Sequence, residues 1–248
     1  MINLMLLLAS SLLFQSAQTM HNMQEETVEG KEIEIKFTIP EQKDLCFKDW
    51  LIKTCSKGDL IKQTESYLIG TQTEPTYNQK LSIIDALNTL RVRETNKGSF
   101  LTFKSRKVDD RGKTICRTEF ETKVDNAATT LEIYKRLGYE INMFTKERQL
   151  YTIKLQELLK DSEMVPAKAY YEIALDTVNF GQDKAKEFIE IELKDLPTKT
   201  PLVFAKQLLY RPLDVAGIAE VDVYDRGYIQ MLWNPDHDFA ERRSTFTG

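Results

Sequence analysis

The chain has 248 residues, with 34 Lys and Arg against 38 Asp and Glu and a formal net charge of −4. That acidic balance argues against a broad nucleic-acid surface, and 42% hydrophobic with 29% charged residues is the composition of an ordinary globular domain. Only two histidines occur, His21 and His237, which argues against a Ser-His-Asp triad or a His-rich metal site. Cys46, Cys55 and Cys116 lack CxxC spacing and read as reduced thiols rather than a zinc site or a disulfide framework.

Residues 1–25 stand apart. Met5 to Phe14 form an apolar run, followed by small and polar residues that end in "SAQ". This reads either as a secretory signal with a cleavage site or as a stretch upstream of a true start at Met20 or Met23. The run is too short to cross a bilayer as a helix, so no stable membrane span is expected. Residues 26–248 are expected to form a single domain with a C-terminal helical tail.

"GKEIEIKFTIP", residues 30–40, alternates Ile33, Ile35 and Phe37 with Glu32, Glu34 and Lys36. That period of two predicts a strand with one apolar and one charged face. Residues 41–59 space Leu45, Trp50, Leu51 and Ile52 as a helix, with Gly58 as its stop. Strands are predicted over 60–70, 88–95, 100–108 and 114–124, the last three joined by the turns "NKGS" and "DDRGK". Asp125 or Asn126 caps a helix that ends at Gly138. Three further strands are predicted over 141–153, 169–178 and 187–194. Residues 200–233 read as largely helical, broken at Pro212. The sum is a mainly β, α+β domain of seven or eight antiparallel strands with a few helices.

The charged rows recur from strand to strand. Arg91 and Arg93 share a face, as do Thr102, Lys104 and Arg106, then Arg117, Glu119, Glu121 and Lys123, then Lys146 and Arg148. Glu172 and Asp176 share another, and Glu190 and Glu192 the last. On any single strand, a solvated face of a half-exposed sheet accounts for such a row. The set differs, because the signs are sorted: acidic on the first and last strands, basic on the third, fourth and sixth. An eight-stranded closed sheet has an interior, and inward-pointing rows would line a tunnel. Buried charges need partners. Closely spaced carboxylates call for a divalent cation, and an all-oxygen set suits Mg²⁺ or Mn²⁺. Arg and Lys rows match phosphate oxygens. Together they describe a metal-dependent site for a triphosphate.

At these residues the chain resembles the CYTH superfamily, the triphosphate tunnel metalloenzymes. Glu32-Ile33-Glu34-Ile35-Lys36 matches the family's ExExK strand. "LRVR", "LTFK", "RTEFE", "KERQLY", "ALDTV" and "FIEIE" follow in order, and the likeness runs from about Lys31 to Lys194. "LGYE" followed by "KERQLY", "ALD" and "FIEIE" is most similar to the branch with the class IV adenylyl cyclases. The resemblance implies a closed eight-stranded antiparallel β tunnel, helices packed outside, that binds a triphosphate end-on. It implies metal ligation by Glu32, Glu34, Asp176, Glu190 and Glu192, with Glu119 and Glu121 as further acidic candidates. It implies phosphate binding by Lys36, Arg91, Arg93, Lys104, Lys146 and Arg148, with Arg117 beside them. Glu34, Lys36 and Glu190 are the residues expected to carry catalysis.

Members of the family share the tunnel but not the product. A cyclase sets the ribose 3′-hydroxyl of ATP against the α-phosphorus, whereas a triphosphatase lets water attack the terminal phosphorus of tripolyphosphate, thiamine triphosphate or a nucleotide. Branch resemblance favours the cyclase, with the triphosphatase second and a catalytically silent polyphosphate or nucleotide binder third. The expected partners are a small triphosphate and, as an option, a second copy of the chain. ATP chemistry and unpatterned cysteines favour the cytoplasm; a true signal peptide would favour export.

Overall fold

The computed structural model describes residues 26–39, 41–70, 88–108, 114–159, 166–181, 185–224, 227–233 and 240–244. The expectations for residues 1–25 and for the turn "DDRGK" lie outside these. Ten strands form one antiparallel sheet in the order β10-β9-β1-β8-β7-β6-β2-β3-β4-β5. The first eight are β1 (Ile33–Thr38), β2 (Ser56–Gly70), β3 (Asn88–Thr95), β4 (Gly98–Val108), β5 (Thr114–Val124), β6 (Tyr139–Lys154), β7 (Tyr170–Asn179) and β8 (Lys186–Lys194). β9 (Glu220–Tyr224) and β10 (Ala240–Ser244) extend the edge beyond β1.

The apolar rows of β1, β6, β7 and β8 face outward, onto helices. Ile33 and Phe37, Tyr151 and Ile153, Tyr171 and Ile173, and Ile189, Ile191 and Leu193 are buried in one core. It is covered by Phe47 and Leu51 of α1 (Glu41–Thr54) and by Leu202, Ala205 and Leu208 of α4 (Leu202–Leu208). Leu213 of α5 (Arg211–Val215) completes the cover. α2 (Ala127–Arg136) begins at Asn126, whose side chain accepts from the Thr129 N–H, one of the two predicted caps. The turn α3 (Leu155–Leu158) buries Leu155 in the main core. Because the apolar rows go outward, the charged rows occupy the concave face.

Three expectations change. Gly58 does not stop a helix: α1 ends at Thr54, and Gly58 lies inside β2, at a register shift against β6 where an added Cβ would come within 3.3 Å of Leu150. Residues 200–233 are not one helical tail, because β9 pairs with the upper half of β1 at Phe37 and Thr38. The expected break at Pro212 is present: α4 ends at Leu208, four residues before it, and Pro212 sits in the first turn of the next helix, α5, where its missing N–H costs nothing. Finally, the hydrogen-bonded ladder does not close into a ring. Among the described residues, β1 and β5, the ends of the eight-strand run, meet at a single bridge, where the Glu32 N–H donates to the Arg117 carbonyl at 2.9 Å.

Candidate functional site

The concave face encloses a cavity of ≈ 310 Å³. Register explains which charges meet there. Across β1 and β8, Glu34 is opposite Glu192 and Lys36 opposite Glu190; Arg148 is opposite Asp176 across β6 and β7; Lys104 is opposite Glu119 across β4 and β5. Residues facing each other across an antiparallel pair share a side of the sheet, so each match turns two side chains the same way, and all of them line the cavity except Asp176, which is buried against Arg148.

At one end, Glu32, Glu34 and Glu192 each bring a carboxylate oxygen within 4.8 Å of the others. Each member of this trio has a cationic partner, yet the three carboxylates crowd one another. Burial and the neighbouring Glu32 and Glu190 charges push the Glu192 carboxyl up to about 7, despite the Lys194 ammonium at 2.5 Å. The donor set is all oxygen and suits a hard divalent cation. The two other members are held by bases from the far side of the β1/β5 seam. Lys104 donates to both Glu32 oxygens, at 2.8 and 3.0 Å, and Arg117 pairs with Glu34. Burial alone would raise the Glu32 carboxyl, but Lys104 and Arg117 hold it below its ordinary value.

Along the wall, Glu119 receives Lys104 at 3.0 Å and lies 4.0 Å from Arg91, while Glu121 accepts from Arg93 at 2.5 Å and from the Thr102 hydroxyl at 2.8 Å. The opposite end is basic. Arg148 makes a two-pronged contact with Asp176, Nε to Oδ1 at 2.7 Å and Nη2 to Oδ2 at 2.6 Å, and reaches Glu190 at 2.9 Å. Lys36 lies 3.7 Å from Glu190 and over the Tyr228 ring at 4.1 Å. Burial lowers the pKa of Lys36 and pushes Lys146 down to about 8, against the pull of Asp176 and Glu190 on both. Burial opposes ionisation of Glu190 too, yet Arg148, Lys36 and Lys146 keep it well below its usual range.

The structure thus gathers the predicted residues around one cavity but not into one metal cluster. Asp176 is fully buried among Arg148, Lys146 and Tyr228, apart from the trio, and Glu190 sits with Lys36 and Arg148. Two contributors have no counterpart in the sequence reading. Glu65 of β2, fully buried, pairs with Arg91 at 2.9 Å and lies 3.6 Å from Lys146. Tyr228, at the start of α6 (Tyr228–Trp233), donates its hydroxyl to Asp176 at 2.8 Å. With Ile229 and Met231 it packs on Phe144, Val178 and Phe188, the next inward-facing residues beyond Lys146, Asp176 and Glu190. Cys46 and Cys55 carry free thiols, away from the cavity.

Comparison with solved structures shows this fold elsewhere. The PH1819 protein of Pyrococcus horikoshii is 20% identical, with a TM-score of 0.59 over 82% of this chain and 99% of its own. A candidate adenylate cyclase of Vibrio parahaemolyticus is 14% identical, with a TM-score of 0.54 over 82% of this chain and 98% of its own. HpAC1 of Hippeastrum, a candidate adenylyl cyclase with a dominant triphosphatase activity, is 18% identical, with a TM-score of 0.50 over 82% and 96%. No curated protein matches the chain. No helix among the described residues is long and apolar enough to cross a membrane. The CYTH domain matches residues 30–228, which spans the sheet from the ExExK strand to the Tyr228 that lies over its basic end, and the chain belongs to the CYTH family.

Proposed function

We propose that the chain is a metal-dependent enzyme that takes the triphosphate end of a small molecule into this cavity and hydrolyses its terminal phosphate. The lining carries this reading. Glu32, Glu34 and Glu192 gather at one end, bases paired with Glu119, Glu121 and Glu190 line the rest, and Tyr67, Tyr228 and Ile229 are the only aromatic or aliphatic side chains among the described lining residues. Such a lining suits a metal-bound polyphosphate, and the described residues of it present no apolar slot for a nucleobase. Closure of β1–β8 into a tunnel belongs to the same reading, supported by the Glu32–Arg117 bridge and the two ion pairs across it.

Glu32, Glu34 and Glu192 would hold Mg²⁺ or Mn²⁺, which when bound neutralises phosphate charge and acidifies a bound water. Lys36, Lys146 and Arg148 at the basic end, with Arg91, Arg93, Lys104 and Arg117 around the wall, bind phosphate oxygens. Their carboxylate partners hold them in place before substrate arrives, so little reorganisation is needed in the transition state. Water oxygen bonds to the terminal phosphorus as the bridging P–O bond breaks. The water's protons leave with the released phosphate or to solvent, from which Lys36 regains the proton it donates. Lys36, whose proton burial loosens and whose position Glu190 fixes, gives that proton to the leaving phosphate oxygen.

The second reading is the class IV adenylyl cyclase, in which the ribose 3′-hydroxyl attacks the α-phosphorus and pyrophosphate leaves. The ordered strings "LGYE", "KERQLY", "ALD" and "FIEIE" favour it. A silent binder has no use for the Glu32, Glu34 and Glu192 cluster. Product analysis tests all three: the purified chain is incubated with Mg²⁺ or Mn²⁺ and, separately, ATP, tripolyphosphate and thiamine triphosphate. Orthophosphate without cyclic AMP is the expected outcome. Cyclic AMP with pyrophosphate would establish the cyclase, and tight binding without any product the silent binder.

A further inference from the structure

The carboxylates around the cavity fall into two groups. Glu32, Glu34, Glu119, Glu121, Glu190 and Glu192 keep 9%, 7%, 26%, 31%, 12% and 16% of their side-chain surface exposed, and so can exchange partners with what enters. Glu65 and Asp176 keep none. These two flank the Lys146 ammonium, at 3.6 and 3.5 Å, and each also holds one guanidinium, Arg91 for Glu65 and Arg148 for Asp176. Arg91 and Lys146 are themselves 8% and 4% exposed. Arg91 Nε and both Glu65 carboxylate oxygens are buried without a hydrogen-bond partner among the described residues, so Glu65 holds Arg91 and Lys146 by charge alone. Glu65 is therefore a fixed negative charge set directly behind two bases that face the cavity, on a strand where the surrounding sequence shows no charged row.

A charge so placed acts on an anion in the cavity in two ways. It orients Arg91 and Lys146, which favours productive binding. It also repels the anion across a low-dielectric gap, where charges are weakly screened. A cavity with this many bases and no internal counter-charge would hold a product polyanion too tightly to turn over. We propose that Glu65 is a positioning residue that aligns Arg91 and Lys146 and weakens the cavity's hold on the product anion. The proposal rests on the triphosphate reading of the site, and Asp176 does the same for Arg148.

The test is calorimetric binding of pyrophosphate to the full chain, alongside steady-state kinetics with tripolyphosphate. Glu65→Gln is expected to lower the pyrophosphate Kd by about tenfold or more, the effect of roughly one charge interaction, and to lower kcat through slower release and looser bases. Glu65→Asp keeps the charge and is expected to stay within about twofold of the wild-type Kd, well under the one-charge effect. A role confined to holding the fold together would move stability without tightening pyrophosphate. Unchanged or weaker binding in Glu65→Gln overturns the proposal. Should Glu65→Gln not fold, the charge-balanced pair Glu65→Gln with Lys146→Gln is compared with Lys146→Gln alone; tighter binding by the pair supports the proposal, and equal or weaker binding overturns it. Pyrophosphate binding does not depend on turnover, so an inactive wild-type chain would sink the triphosphatase reading and leave this measurement intact.

Discussion

Glu34 and Glu192 face each other directly across the β1–β8 ladder, two carboxylates at one register position with Glu32 close enough to complete a three-oxygen cluster. Like charges opposite one another destabilise a sheet. The arrangement becomes favourable when a divalent cation joins it. Mg²⁺ or Mn²⁺ is therefore expected to raise the Tm of the chain by several degrees, through linkage to the folded state alone. Glu192→Gln is expected to abolish that gain while leaving the metal-free Tm unchanged or higher. Differential scanning fluorimetry with and without EDTA decides it, and a full metal response in Glu192→Gln would remove the trio as the site.

Lys146 gives a pH dependence of definite sign. Burial lowers its folded-state pKa to about 8 from an ordinary 10.5. Between those values the unfolded chain binds the proton and the folded chain does not, so the Lys146 contribution to stability rises with pH across about 8 to 10.5. The full span is worth at most on the order of 3 kcal/mol. Over the same window pyrophosphate affinity is expected to fall as the ammonium is lost. Urea unfolding of wild type and Lys146→Met from pH 7.5 to 10.5 isolates the effect, since only the wild type should carry this slope.

The alternating rows made the cavity legible, because a period of two fixes which residues of one strand share a face, and the ordered motifs of the family resemblance joined those rows from strand to strand. Glu32, Glu34, Lys36, Glu190 and Glu192 could therefore be named together. Glu65 could not. In "QTESYLIG" it stands between Gln63 and Tyr67 on its face, and only pairing of β2 with β3 and β6 brings it to Arg91 and Lys146. Tyr228 was hidden for another reason: it follows β8 by more than thirty residues, and no periodicity tells where a short helix will dock. β9 shows tertiary context overriding local pattern. "EVDVY" alternates as a strand should, but the helical spacing on both sides concealed it until the free edge of β1 supplied a partner.

The outward-facing core predicts a large, purely structural effect. Phe47 of α1 is fully buried, edge-on to Phe37 at 6.3 Å and stacked on Trp50 at 5.5 Å. Phe47→Ala is expected to cost about 3–5 kcal/mol, measured by urea unfolding, whereas Leu45→Ala on the exposed side of the same helix should stay within about 0.5 kcal/mol. Equal effects at both positions would mean that α1 does not cover the sheet as described.

Tyr228→Phe removes one hydroxyl and keeps the ring beneath Lys36 and Lys146. The lost hydrogen bond leaves a buried Asp176 oxygen less well satisfied, and the expected cost is about 1–3 kcal/mol. Phosphate affinity should fall less than in Tyr228→Leu, which also removes the ring that the two ammonium groups lie over, at 4.1 and 5.1 Å. Identical losses of affinity in the two variants would show that the ring contributes nothing to holding the lysines.

Asp176 separates two roles that the sequence assigned together. The resemblance implies that it ligates metal with Glu190 and Glu192, whereas the structure sets it among Arg148, Lys146 and the Tyr228 hydroxyl, with no exposed surface. A buried carboxylate that serves two cations is costly to remove, because its loss leaves those charges uncompensated; Asp176→Asn is expected to destabilise the chain by about 3–5 kcal/mol. Its divalent affinity should remain within about threefold of wild type, under 1 kcal/mol, because the trio is untouched. Glu192→Gln should show the opposite pattern, with stability kept and metal affinity lost. Isothermal titration with Mn²⁺ and urea unfolding of the two variants give the four numbers needed. Loss of Mn²⁺ binding in Asp176→Asn, with the fold intact, would return Asp176 to the metal set and require its side chain to turn from Arg148 toward Glu192 when the ion binds.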